Sequence, residues 1–267
     1  MRPPIPARPA RSLSRAAARS VLLVLGLALA ACQSAPVTGR SQLILLPESQ
    51  DAGMGLQAYQ QIKQQERVSR DPELDRRVQE IGRRIAAVSG QPDWDWQFTV
   101  FENDEPNAFA LPGGKVGVYT GLFKVARNDD QLATVLAHEI GHAIARHGAE
   151  RMSQGLLAQL GGVAVGAATG SQAYVQAYTQ LATLGVILPY SRTQESEADE
   201  IGLMMMAEAG YDPREAVKLW QNFEALGGER PPEFLSTHPA EGTRIERLQA
   251  LMPEAMAIYE ANPNKAQ

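Results

Sequence analysis

The sequence of 267 residues holds one cysteine, only four histidines and no apolar run of 18 residues. A lone cysteine excludes a disulfide framework, and it excludes a structural zinc site closed by thiolates. Without ~20 consecutive apolar residues no helix is expected to cross a bilayer. A basic surplus is also absent, since Lys and Arg number 25 against 30 Asp and Glu. Five of those basic residues, Arg2, Arg8, Arg11, Arg15 and Arg19, fall in the first 31 positions, which contain no acid. The rest of the chain therefore carries 20 basic and 30 acidic residues, a net charge of −10. A phosphate backbone selects a basic face, so nucleic acid is not an expected partner. With 44% hydrophobic and 21% charged residues, the composition is that of an ordinary globular protein.

The arginine-rich start is followed by Val21 to Ala31, an apolar run of 11 residues that suits the core of a signal peptide. The run ends in Leu29-Ala30-Ala31-Cys32. This resembles a bacterial lipoprotein signal, in which the cysteine is acylated and becomes the mature N-terminus. An acyl chain holds a domain at a membrane surface without spanning it. Gln33, rather than an aspartate, follows the cysteine, which favours the outer membrane of a Gram-negative envelope. The expected organisation is a leader over 1–31, a tether over 32–47 and one domain over 48–267. That domain would face the periplasm, anchored through Cys32.

Helical patterning begins near Glu48. Asp71-Pro72 is a cap followed by proline at the first helical position. Beyond it Leu74, Val78, Ile81, Ile85 and Val88 recur at steps of four and three, which predicts one buried stripe. From Asp95 to Tyr119 the period changes to two, and three short strands forming a small antiparallel sheet are expected. Asn128-Asp129-Asp130 caps a long helix expected to run through His138 to about His147. Residues 155–188, rich in Gly, Ala and Gln, are expected to form a loose helical hairpin packed on or hinged over a cleft. The fold class is α+β, mainly helical, with the small sheet beside the helix that carries the histidines.

His138-Glu139-Ile140-Gly141-His142 fits the pattern H-E-x-x-H. Positions four apart lie on one face of a helix, so two imidazoles can converge on one zinc ion. Glu139 projects beside the metal, where it can take a proton from water and pass it to a leaving amine. The apolar flanks Leu136-Ala137 and Ala143-Ile144-Ala145 place the motif inside the domain, where unpartnered histidines would be costly. A third ligand is needed. A histidine six residues after His142 is excluded because Gly148 stands there. His147 falls about 100° round the same helix and reads as a surface or helix-terminal residue. Glu195 is the better third ligand, and Asp199, four residues on, shares its face and can accept an N–H from a ligating histidine. Glu197 is expected to point elsewhere, solvated or paired with Arg192. The segment Asn107-Ala108-Phe109-Ala110 reads as either core sheet or an edge that pairs with an extended substrate.

Four motifs together resemble the HtpX and CAAX-prenyl-protease family of gluzincin metallopeptidases. They are Asn107 to Gly114, His138 to His147, Ser191 to Asp199 and Ser236-Thr237-His238-Pro239. Within that family the chain is most similar to periplasmic lipoproteins of outer-membrane quality control. The resemblance implies a compact helical domain binding one zinc ion and cleaving misfolded or unassembled envelope proteins, with outer-membrane assembly machinery a possible partner. It also implies that His238 reaches the metal, either filling its open position or stabilising an oxyanion, while Arg244 supplies a fixed positive charge nearby. The competing expectation is a non-proteolytic assembly factor using the same groove, and a weaker one is a structural zinc site.

Overall fold

The structure, a computed structural model, describes residues 32–183, 188–226, 234, 238 and 243–266. The expected leader over 1–31 lies outside the described residues, as do Ser236, Thr237 and Pro239 of the fourth motif and positions 184–187 of the expected hairpin. In chain order come β1 (Cys32–Ser34), β2 (Ser41–Leu43), α1 (Glu48–Gln65), α2 (Pro72–Val88), β3 (Gln97–Phe101), β4 (Ala108–Leu111) and β5 (Lys115–Tyr119). There follow α3 (Asp129–Ile144), α4 (His147–Thr169), α5 (Gln172–Ala182), α6 (Leu188–Glu208), α7 (Arg214–Ala225) and α8 (Arg244–Ala261). The architecture is mostly helical with two small sheets, an α+β domain. No described helix is long and apolar enough to cross a membrane.

The helix signals in the sequence have their expected causes. The Asp71 side chain accepts from the backbone N–H groups of Glu73 and Leu74 and starts α2. Val78, Ile81 and Ile85 are buried, with Leu74 and Val88 packed at the edge of the same core. Asn128 accepts from Gln131 N and starts α3. That helix is central, and every residue from Gln131 to Ile144 is buried.

The three-stranded sheet corrects one expectation, because it is mixed. Its order is β3-β5-β4, with β3 and β5 parallel, Phe98 beside Val116, and β4 antiparallel to β5, Ala108 beside Val118. Alternation of apolar residues marks a strand but carries no direction, and the chain between β3 and β5 is long enough to return for a parallel pairing. Ala108 is buried against the core and Ala110 partly so, while the Phe109 ring packs on Phe101 and Tyr119 within its own sheet.

Two further expectations change. Within 32–47, the stretch expected to act as a tether, β1 and β2 pair as an antiparallel hairpin. Its Gln42 is buried and donates to the Ala145 carbonyl at 2.8 Å. The histidine-bearing helix also stops earlier than expected. α3 ends at Ile144, Arg146 takes a left-handed conformation with φ of 55°, and α4 begins at His147. Arg146 is held there by Asp51 at 3.1 Å and by the Leu46 carbonyl at 2.8 Å. α4 and α5 form the expected hairpin. Its root is buried at Ala149, Glu150 and Ser153, and Leu156, Leu157 and Leu160 farther along are exposed.

Candidate active site

α3 and α6 lie against each other at close range, and Gly202 is the reason. A Cβ at that position would stand 2.9 Å from the His138 backbone nitrogen and 3.0 Å from its Cα, closer than side chains tolerate. With hydrogen in its place, the α6 face bearing Glu195 and Asp199 is brought onto the imidazoles of His138 and His142. All four residues are buried, as is Glu139.

The donor atoms of His138, His142, Glu195 and His238 all lie within 4.8 Å of one another. His142 Nε2 is 3.2 Å from His138 Nε2 and 3.3 Å from Glu195 Oε1. Glu195 Oε2 is 3.5 Å from His138 Nε2. His238 Nδ1 stands 3.3 Å from His138 Nε2 and 3.1 Å from Glu195 Oε2. Ligands at ~2.0–2.1 Å from a tetrahedral ion stand about 3.3 Å apart. The donor set fits a metal ion, with His238 Nδ1 among the converging donors.

Around these donors the site is braced. His138 Nδ1 is 3.0 Å from Asp199 Oδ1. That contact sets a carboxylate against the imidazole nitrogen at ion-pair distance. Arg244 donates through Nε to Asp199 at 2.5 Å and through Nη2 to Glu195 at 2.9 Å. Its guanidinium lies 3.9 Å over the Trp220 ring. Glu139 Oε1 is buried with no hydrogen-bond partner among the described residues, 3.4 Å from His238 Nε2.

The electrostatics follow from burial and charge together. Burial alone would lower the His138 pKa, but the Asp199 and Glu195 carboxylates outweigh it and raise it to about 9. For His142 burial wins over Glu195, and its pKa falls well below the usual histidine range. Burial raises Glu139 above the usual carboxylate range, opposed in part by His238 and His138. Burial would raise Glu195 too, but the three imidazoles hold it far below that range. Asp199 is held down, against burial, by Arg244 and His138.

His138, Glu139, His142, Glu195, Asp199, His238 and Arg244 meet in one place. Two further residues belong to it. His147, expected at a surface, is fully buried, and its Nδ1 is 2.8 Å from Nδ1 of His142. The helix break at Arg146 leaves the His147 ring against that of His142, centroids 4.8 Å apart. Glu197, expected in solvent or with Arg192, is buried and stands 2.9 Å from His147 Nε2. Burial would raise the Glu197 pKa, but His147, Arg40 and Thr38 lower it to about 2. Burial lowers the His147 pKa, with Glu197 opposing. The available signal was the run Ala198, Ile201 and Leu203 to Met206, all buried, which marks α6 as enclosed on more than one face. Of the proposed substrate segment, β4 lies beside α3, and its outer edge pairs with no strand among the described residues. Asn107 Oδ1 accepts from Ala108 N.

Comparison with known proteins agrees with this geometry. The mitochondrial metalloendopeptidase OMA1 of Schizosaccharomyces pombe is 39% identical over 187 residues, covering 69% of this chain and 55% of that protein. The OMA1 of Saccharomyces cerevisiae is 37% identical over 247 residues, 85% of this chain and 70% of that protein. The beta-barrel assembly-enhancing protease of Escherichia coli is 30% identical over 220 residues, 79% of this chain and 45% of that protein. The chain thus spans about half the length of most of these relatives. The family model for peptidase family M48 matches residues 72–252, a span that contains every donor of the cluster together with Glu139, Asp199 and Arg244. By that match and by these relatives, the chain belongs to peptidase family M48, the zinc-dependent metallopeptidases.

Proposed function

We propose that the chain is a zinc metalloendopeptidase of the HtpX and CAAX-prenyl-protease type, with one ion held by His138, His142 and Glu195. The observation that carries this is the convergence of those donors beside the buried Oε1 of Glu139, which has no hydrogen-bond partner among the described residues. A zinc ion bound there supplies a Lewis acid that polarises the scissile carbonyl and acidifies water. Glu139 takes the proton of the attacking water. It delivers that proton to the amine as the C–N bond breaks, so that a carboxylate and an amine leave. Asp199 orients His138, and Arg244 braces both acids from behind, its charge spent on their oxygens. His238 would stand as a fourth donor to such an ion in the resting enzyme. Asn107 and the β4 edge through Ala110, which pairs with no strand among the described residues, take the main chain of an extended substrate.

The place of action is the periplasmic side of the outer membrane, through a lipid on Cys32, and the substrates are misfolded or unassembled envelope proteins. Supporting this are the leader-like start, Leu29 to Cys32, and the Escherichia coli relative named for beta-barrel assembly. The assembly machinery of that membrane is the corresponding partner. Casein cleavage by the full-length chain tests the reading, with Glu139→Gln and a chelator as controls. Equal cleavage by wild type and Glu139→Gln sinks the mechanism and favours a non-proteolytic assembly factor.

A further inference from the structure

The ring of His142 has two nitrogens and two different neighbourhoods. Nε2 faces the donor cluster, while Nδ1 faces away, 2.8 Å from Nδ1 of His147. The far nitrogen of that second ring, Nε2, is 2.9 Å from Glu197 Oε2. One arrangement of protons satisfies every contact. A neutral imidazole that offers a lone pair at Nε2 carries its proton at Nδ1. His142 Nδ1–H therefore donates to His147 Nδ1, and His147 Nε2–H donates to the ionised Glu197. The reverse direction would put the His142 proton on Nε2, where the donor pair is needed. It would also set a bare His147 nitrogen against a carboxylate oxygen.

Glu197 is in turn fixed by the N-terminal hairpin. Arg40 Nε donates to Glu197 Oε2 at 2.8 Å, and the Thr38 hydroxyl donates to Oε1. The same guanidinium reaches both oxygens of buried Glu150, each at 2.8 Å. Gln194 Nε2 also donates to Glu150, at 2.6 Å. Thr38 and Arg40 lie between β1 and β2. The stretch after the hairpin is fastened to the same place, since Leu45 N donates to Ser153 Oγ at 2.9 Å.

We propose that His147 and Glu197 are positioning residues for His142, and that the Thr38–Arg40 turn completes them, so that zinc affinity depends on the docked hairpin. The proposal rests on the zinc reading above. A proton held between His142 and an anion-backed acceptor fixes the ring plane and makes its Nε2 a stronger donor to the metal. Arg40 is required because Glu197 would otherwise be a buried charge with too little compensation. Hairpin and metal centre are thus one unit, although Arg40 and Glu197 are 157 positions apart in sequence.

The test is zinc affinity of the full-length chain, by competition with a chromophoric chelator, alongside the visible spectrum of the cobalt-substituted protein. His147→Phe, which fills the space without a polar atom, is expected to weaken zinc binding by about 10–100-fold and to shift the cobalt bands. His147→Gln, with a carbonyl to accept and an amide to donate, recovers most of the loss. Arg40→Ala and Glu197→Gln weaken binding in the same direction, from outside the ligand set. A role in folding alone would lower the melting temperature without moving the zinc Kd of the folded protein or the cobalt spectrum. If His147→Phe does not fold, Arg40→Ala and Glu197→Gln decide the matter. Tight zinc binding by wild type with both of those variants unmoved overturns the relay alone. A wild type that binds no zinc overturns the zinc reading, and the relay falls with it.

Discussion

Replacing His238 by alanine separates two roles for that imidazole. Five donor-to-donor distances within the cluster lie between 3.1 and 3.5 Å, and two of them belong to His238 Nδ1. These bracket the ~3.3 Å expected between ligands of a tetrahedral zinc ion. Those two contacts fit either a shared ion or direct hydrogen bonds of His238 Nδ1 with Glu195 and His138, so metal affinity is what separates the two. Loss of a residue that merely orients a ligand costs about 10–100-fold in metal affinity. Loss of a ligand itself is expected to cost at least as much, roughly 1.4–2.8 kcal/mol or more. Chelator competition on purified wild type and His238→Ala reads this directly, with thermal melting to confirm that the variant is folded. If His238 instead acts only on the transition state, cleavage falls by about 10²–10³-fold, as for a lost oxyanion donor, and affinity does not move. An unchanged zinc Kd with reduced kcat would falsify the ligand assignment.

Glu139→Gln is expected to keep zinc content and substrate KM while kcat for casein falls by about 10²–10⁴-fold, the contribution of one proton-transferring group. Stoichiometric zinc by elemental analysis together with undiminished turnover would remove Glu139 from the mechanism. Stripping the metal should abolish cleavage and lower the melting temperature, and zinc should restore both. At a thousandfold excess of zinc over Kd the stabilisation is about 4 kcal/mol, or roughly 8–16 °C for a domain of this size. Two helical glycines should respond differently to alanine. At Gly155 no described atom outside its own helix stands within 4 Å of an added Cβ, so Gly155→Ala gains up to about 1 kcal/mol from helix propensity. At Gly202 the new Cβ meets His138 backbone, and an overpacking cost of about 1–3 kcal/mol offsets that gain or exceeds it. Calorimetry showing equal rises for both would mean that α3 and α6 are not in tight contact.

What the sequence made legible divides along one physical line. The pairs His138–His142 and Glu195–Asp199 are one helical turn apart, and helix geometry alone puts each pair on a common face. Asp71 and Asn128 cap helices through bonds to residues two or three positions on, and such local bonds are equally readable. His147 shows where this kind of reasoning stops. Its distance from His142 was judged along one continuous helix, but Arg146 takes a left-handed turn that no propensity of arginine suggests. The cause of that turn is distant, namely Asp51 and the Leu46 carbonyl, which hold the guanidinium. The parallel pairing of β3 with β5, and the hold of Arg40 on Glu197, are likewise decided by partners far along the chain. Such contacts leave no periodic trace in sequence. Accordingly, the donor cluster and Asp199 behind it were readable, and the support of His142 by His147, Glu197 and Arg40 was not. A motif search over Cys32 to Leu43 would find nothing catalytic, yet removal of the Arg40 guanidinium is expected to be felt at His142, because one unbroken set of hydrogen bonds joins them.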